Sequence, residues 1–126
     1  MTISRRQARR QALFLLYQWD LSGQEIGSQY AGEIDPWARA VAEAVAERAP
    51  RLDARITAAS EGWTADRLGA VERSALRVAV HELETGEVPV EVAINEAVAF
   101  AKRYASEDGA RLVNGILGRI QREEAA

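Results

Sequence analysis

Apolar residues recur along this chain at intervals of three and four, and no segment sustains an alternation of apolar and polar residues. Spacing of this kind places side chains on one face of an α-helix, whereas a half-buried strand needs a period of two. Residues 71–83 are apolar around most of the helix circumference, which predicts a central and largely buried helix. We therefore predict an all-α fold. The stripe that opens the chain consists of Ala8, Ala12, Leu15, Leu16 and Trp19.

Capping residues and prolines mark the expected helix boundaries. Ser4, followed three residues later by glutamine, is typical of a capping box, and Asp35-Pro36 is typical of a helix start. Ala49-Pro50 is predicted to end the second helix, because a proline inside a helix removes a hydrogen bond. About seven helical pieces result, and short connections favour small antiparallel bundles. We expect all 126 residues to form a single domain.

Residues that could carry catalysis are scarce. The chain has no cysteine and one histidine, His81, which lies in the most apolar segment. A nucleophile with a histidine base and a transition-metal site therefore both lack the necessary side chains. No glycine-rich phosphate loop follows a strand. We predict that the protein is not an enzyme and binds no metal or cofactor.

The composition also bears on location. The absence of cysteine fits a reducing compartment, since disulfides are a feature of oxidising ones. The apolar stretch near the N-terminus is short and lacks a small-residue cleavage site, and no apolar run reaches the length of a membrane span. We predict a cytoplasmic protein that does not enter a membrane.

Positive charge is concentrated at the start of the chain. Residues 1–20 contain four arginines and one aspartate, a net charge of +3, so that the remaining residues carry −6 of the total of −3. On a helix, the arginines form two pairs four residues apart, and their mutual repulsion is relieved by a polyanion. Either this segment binds nucleic acid or it is a solubilising basic end. The arginines are Arg5, Arg6, Arg9 and Arg10.

A second basic element surrounds the start of the last predicted helix. Lys102, Arg103 and Arg111 flank a connection in which Ser106 is expected to cap the helix. Asp108 is expected either to stabilise the helix N-terminus or to accept hydrogen bonds from base edges. Taken alone, the segment is a capped turn.

The order of residues in this region resembles that of a known family. Residues 88–104, VPVEVAINEAVAFAKRY, and residues 106–117, SEDGARLVNGIL, closely resemble the signature of the NusB family of transcription antitermination factors. Residues 71–83 resemble the central helix of that family, and residues 5–20 resemble its arginine-rich opening. The resemblance implies two perpendicular three-helix bundles.

The resemblance also implies a function. NusB proteins bind the single-stranded boxA element of ribosomal RNA leader transcripts together with NusE, a small-subunit ribosomal protein. The complex helps RNA polymerase to pass terminators. The RNA-contacting positions of the family correspond here to Arg5, Arg6, Arg9, Arg10, Arg73, Asp108, Arg111 and Leu112.

One of these positions departs from the family pattern. Family members commonly carry phenylalanine where this chain has Leu112, and a leucine stacks on a base less well than an aromatic ring does. The partner surface for NusE is expected on the acidic side of the molecule, around His81, Glu82 and Glu91.

Two other interpretations fit a NusB-like chain. A NusB-like domain occurs at the N-terminus of some RNA cytosine methyltransferases, but no glycine-rich methyl-donor domain follows here, so we expect a chain that works alone. The second alternative is a helical protein-interaction module that does not contact RNA. One form of this alternative is a homodimer, since in some family members two copies associate and cover the RNA surface.

Overall fold

The computed structural model describes residues 3–125 and contains five α-helices. No strand occurs among these residues, so the all-α prediction is confirmed. Instead of the expected seven helical pieces, residues 3–125 contain five α-helices and one short 3-10 turn at Ala65–Arg67. None of these helices combines the length and hydropathy that crossing a membrane requires. The helices are α1 (Arg5–Ser22), α2 (Pro36–Ala58), α3 (Ala70–Thr85), α4 (Val90–Tyr104) and α5 (Glu107–Ala125).

The predicted helix end at Ala49-Pro50 is wrong, because α2 continues through Pro50 to Ala58. The buried side chains of α2 keep a spacing of four and three residues on both sides of the proline. Burial of Leu52 and Ile56 offsets the hydrogen bond that Pro50 cannot donate. The stripe is formed by Ala38, Ala42, Val45, Ala49, Leu52 and Ile56.

The predicted caps are confirmed. The backbone N–H of Gln7 donates to Ser4 Oγ at 3.1 Å, and the backbone N–H of Ser4 donates to Gln7 Oε1 at 2.9 Å. Asp35 Oδ2 accepts from the backbone N–H of Ala38 at 3.1 Å. These bonds satisfy N–H groups that a helix start leaves without partners, and so fix where α1 and α2 begin.

Helix α3 is the common element of the fold. It packs against α1 and α2, which contact each other, and against α4 and α5, which also contact each other. The described residues thus form two three-helix bundles that share α3. Leu76 of α3 is fully buried and Ile116 of α5 nearly so, as expected for core residues.

An aromatic cluster joins the two bundles where α1 meets α4. The ring of Phe14 on α1 lies 5.4 Å from the ring of Phe100 and 4.9 Å from that of Tyr104, both on α4. The two α4 rings lie 4.9 Å from each other. This packing places the arginine-rich start of the chain next to the second bundle.

Candidate nucleic-acid interface

The first two turns of α1 present three of their four arginines to solvent or to a surface cleft. Arg5 is exposed, and its guanidinium carbon lies 4.2 Å from the centre of the Trp37 ring on α2. Arg6 is exposed and donates from Nε to Glu96 Oε1 of α4 at 2.9 Å. Arg10 is half-buried in the surface between α1 and α4. These positions leave the outward guanidinium groups accessible to an anion.

Arg9 does not belong to this outward set, although the family resemblance placed it among the RNA-contacting residues. Its side chain is buried and is hydrogen-bonded to Glu82 on α3. Nε donates to Glu82 Oε1 at 3.1 Å and to Oε2 at 3.0 Å, and Nη2 donates to Oε2 at 2.9 Å. Glu82 is equally buried. The pair fastens α1 to α3, which removes Arg9 from the RNA-facing residues and Glu82 from the partner surface.

Arg73 also holds the fold together. Its guanidinium donates to both carboxylate oxygens of Asp20 on α1, and to the carbonyl oxygens of Ala65 and Leu68 in the preceding turn. Burial of Asp20 favours its neutral form, but the hydrogen bonds and charges of Arg73 and Arg77 outweigh this and lower the pKa of the carboxyl. With its donors occupied, Arg73 has little capacity left for a phosphate.

The start of α5 projects its candidate residues outward. The backbone N–H of Gly109 donates to Ser106 Oγ at 2.9 Å, which is the predicted cap. Asp108 and Arg111 are exposed and form an ion pair with each other. Leu112 is 37% exposed and borders a groove of about 290 Å³ between α5 and residues 59–61. The three residues thus share one accessible turn.

The surroundings of His81 contain groups of both charges, and its place on the partner surface stays a prediction. Nδ1 of His81 lies 2.7 Å from Arg48 Nη1, and Glu84 pairs with Arg48, with Arg51 at 3.5 Å and with Arg55 at 2.7 Å. Burial, together with the charge of Arg48, lowers the pKa of His81. The carboxylate of Glu84 next to His81 is thus paired with arginines of α2.

Glu91 lies on a different kind of surface. It is exposed in the first turn of α4, between Val90 and Val92, which are exposed as well. A carboxylate flanked by two exposed apolar side chains remains available to a partner. Three residues are expected on the partner face. Among them, Glu91 is exposed and forms no ion pair within residues 3–125.

A cleft between α1 and α4 lies next to these arginines. It has a volume of about 440 Å³, and its floor includes Leu13 and Phe100. Its rim carries Arg6, Arg10, Asn95, Glu96, Arg103 and Tyr104.

Comparison with known proteins identifies the family of this chain. A sequence profile of the NusB family matches residues 6–122, which is nearly the whole chain. The chain belongs to the NusB family. Among curated relatives, the transcription antitermination protein NusB of Rubrobacter xylanophilus is 43% identical over 122 residues, covering 91% of this chain and 88% of that protein. The resemblance found in residues 71–117 is thereby confirmed.

Solved NusB structures share the fold. NusB from T. maritima superposes with a TM-score of 0.86 at 32% identity, covering 98% of this chain and 94% of that one. A crystal structure of the antitermination factors NusB and NusE in complex with double-stranded RNA contains a chain with a TM-score of 0.81 at 28% identity, covering 94% of this chain and 96% of that one. The predicted NusB-like all-α fold is confirmed.

Two features of this NusB surface were missed at the level of sequence. The stacking of Arg5 on Trp37 joins α1 to α2, a helix in which the family resemblance is weak. Arg103 was recognised as basic, but its position in a cleft shared with α1 depends on the packing of Phe14 against Phe100. The only local signal was the sequence Lys102-Arg103-Tyr104, in which two cations precede an aromatic ring.

Proposed function

We propose that this protein is an RNA-binding antitermination factor, which binds the single-stranded boxA element of ribosomal RNA leader transcripts together with NusE. The complex helps RNA polymerase to read through terminators and acts in the cytoplasm. Its relatives are antitermination proteins matched over most of their length, which favours this role over that of a methyltransferase domain. The observation that carries the proposal is the set of accessible guanidinium groups on the first two turns of α1.

Arginines suit this role because the planar guanidinium binds phosphate through two parallel hydrogen bonds and also stacks on bases. Arg5 is already stacked on an aromatic ring, so it retains its outer face and edges for RNA. Arg6 is exposed and its partner, Glu96, is partly exposed, so exchange of this surface ion pair for a phosphate costs little. The accessible set proposed for RNA is Arg5, Arg6, Arg10, Asp108, Arg111 and Leu112.

The proposed NusE surface lies elsewhere on the molecule. Residues 21–126 carry a net charge of −6, and a basic ribosomal protein is steered toward negative surface. Glu91, at the start of α4, is the accessible carboxylate that we assign to this surface. RNA and NusE are therefore expected to bind together rather than to compete.

A binding experiment tests the proposal directly. Fluorescence anisotropy with a labelled single-stranded boxA RNA should show binding that strengthens when NusE is added. A scrambled RNA and a double-stranded RNA of equal length are the competitors. If NusE displaces the RNA, or if the scrambled RNA competes as well as boxA does, the proposed function is wrong.

Base recognition is expected to depend on the start of α5. Asp108 is exposed and its carboxylate can accept hydrogen bonds from base amino groups once Arg111 turns to a phosphate. We expect Asp108→Asn to change the ratio of affinities for boxA and scrambled RNA while leaving the salt dependence nearly unaltered. An unchanged ratio would remove Asp108 from the proposed site.

Two further predictions accompany this function. The protein is expected to lack catalytic activity. Tight binding of a methyl donor or a nucleoside triphosphate, measured by calorimetry, would contradict this expectation.

A homodimer that covers the RNA surface is the second candidate assembly. Size-exclusion chromatography of the protein with and without boxA RNA distinguishes this homodimer from an RNA-binding monomer. If the dimer covers the RNA surface, RNA should dissociate it.

A further inference from the structure

The cleft between α1 and α4 has the size and lining of a nucleotide site. Its volume of about 440 Å³ lies within the range of pockets that hold small ligands. Apolar side chains form the floor of the cleft and polar side chains form its rim. A base can therefore pack against the floor while its phosphate accepts hydrogen bonds from the rim. The floor side chains, Leu13 and Phe100, are buried in the shared core and are not displaced by a ligand.

The charge at the rim is positive. Arg6, Arg10 and Arg103 face one carboxylate, that of Glu96, while Arg9 deeper in the cleft is neutralised by Glu82. Among residues 3–125, no carboxylate forms an ion pair with Arg10 or Arg103. Two cations therefore lack a counter-charge within the described fold, in a concave site where their fields add.

An aromatic ring stands beside one of these cations. The guanidinium carbon of Arg103 lies 5.5 Å from the centre of the Tyr104 ring, and the ring itself is partly exposed. Tyr104 is held from below by Phe14 and Phe100. A fixed ring with a nearby cation is a combination that binds single-stranded nucleic acid, because a base stacks on the ring and the cation, which lies over the ring here, moves to the adjoining phosphate.

We propose that this cleft holds one nucleotide of the bound RNA, with Arg103 and Arg10 on its phosphate and Tyr104 against its base. This inference rests on the proposed RNA-binding function and adds α4 to the RNA path. The cleft begins at Arg6 and Arg10 on α1. It ends at Tyr104, two residues before the cap of α5, so it connects the two surfaces assigned to RNA.

A charge-removal series tests the role of Arg103. Relative to wild type, Arg103→Ala should weaken boxA binding about threefold to tenfold and flatten the dependence of log K on log salt by about 0.7, the value for one phosphate on a single strand. Arg51→Ala, which removes an exposed arginine from α2, is the matched control and should change neither quantity. Thermal melts should be level for both variants, because Arg103 is exposed and forms no ion pair within residues 3–125, and the exposed Arg51 makes only a long pair with Glu84 at 3.5 Å.

A second variant is expected to act in the opposite direction. Glu96→Gln removes the single carboxylate of the rim and releases Arg6 from its ion pair, so RNA affinity should rise about threefold. A purely structural role for this side chain predicts no gain in affinity. A gain for Glu96→Gln together with a loss for Arg103→Ala therefore identifies the cleft as the charged RNA site.

Photocrosslinking reports on the aromatic ring. RNA carrying 4-thiouridine should crosslink to the peptide that contains Tyr104 in wild type, and Tyr104→Leu should lose this crosslink, whereas Tyr104→Phe should retain it and the wild-type melting temperature. The cleft proposal is overturned if Arg103→Ala matches Arg51→Ala while Arg5→Ala, which changes an arginine of α1 outside the cleft, still weakens binding. If wild type does not bind RNA at all, the proposed function fails and the cleft proposal fails with it.

Discussion

Arg9 and Arg10 are neighbours in the chain but lie in different surroundings. Arg9 points into the protein and meets Glu82, a residue 73 positions away, in a pair that solvent hardly reaches. Arg10 lies at the cleft, without a carboxylate partner in residues 3–125. A buried charge without its partner is costly, whereas an exposed charge contributes little to folding. The same type of residue therefore serves folding at one position and binding at the next.

The stability of two alanine variants should separate these roles. Arg9→Ala is expected to lower the free energy of unfolding by about 3–5 kcal/mol, because Glu82 would remain buried and unpaired. Arg10→Ala is expected to change it by less than about 0.5 kcal/mol. Urea denaturation measures both, and equal effects of the two variants would show that the Arg9 pair is not formed.

His81 gives the stability of the protein a dependence on pH. Burial first, and then the charge of Arg48, hold its pKa below the ordinary 6.5, although Glu82, Glu84 and Glu87 oppose this. The unfolded chain consequently takes up the proton more readily than the folded one, so stability is complete above 6.5 and declines as the pH falls below it. His81→Gln should melt with a smaller change than wild type between about pH 8 and pH 5. Identical pH profiles for the two proteins would contradict this assignment.

At the scale of elements, the sequence predicted what local bonding determines. The caps at Ser4, Asp35 and Ser106 are made by side chains within three residues of their acceptors or donors, so the pattern alone locates them. The course of α2 through Pro50 and the burial of Arg9 depend on partners in other helices. Such contacts cannot be read from local periodicity, and for this reason the predicted helix end was wrong and the burial of Arg9 was not foreseen.

The proline inside α2 is a local defect that tertiary packing tolerates. Pro50→Ala should raise the free energy of unfolding by about 1–2 kcal/mol, since alanine restores a helix hydrogen bond but also gives the unfolded chain more freedom. Pro36→Ala is the control within the same helix, because a proline in the first turn blocks no hydrogen bond and should yield no gain. Destabilisation by Pro50→Ala in denaturant melts would indicate that Pro50 shapes the helix rather than disturbing it.

At the scale of the whole molecule, the proposed RNA surface spans both bundles. The arginines of α1 belong to one bundle, while Arg103 of α4 and the start of α5 belong to the other, and α3 packs against all of these helices. A shared core keeps such a divided surface rigid without a hinge between its parts. The family signature in residues 88–117 indicated this function from the sequence, but the cleft itself is visible only after α1 and α4 have packed together.

The salt dependence of RNA binding shows whether the accessible arginines on α1 bind the RNA backbone. The double variant Arg6→Ala with Arg10→Ala should flatten the slope of log K against log salt by about 1.4, corresponding to two phosphates on a single strand. Arg51→Ala should leave the slope unchanged, and the melting temperatures of the variants should stay near that of wild type. If the double variant keeps the wild-type slope and affinity, the RNA backbone is bound elsewhere and the start of α1 is only a solubilising basic end.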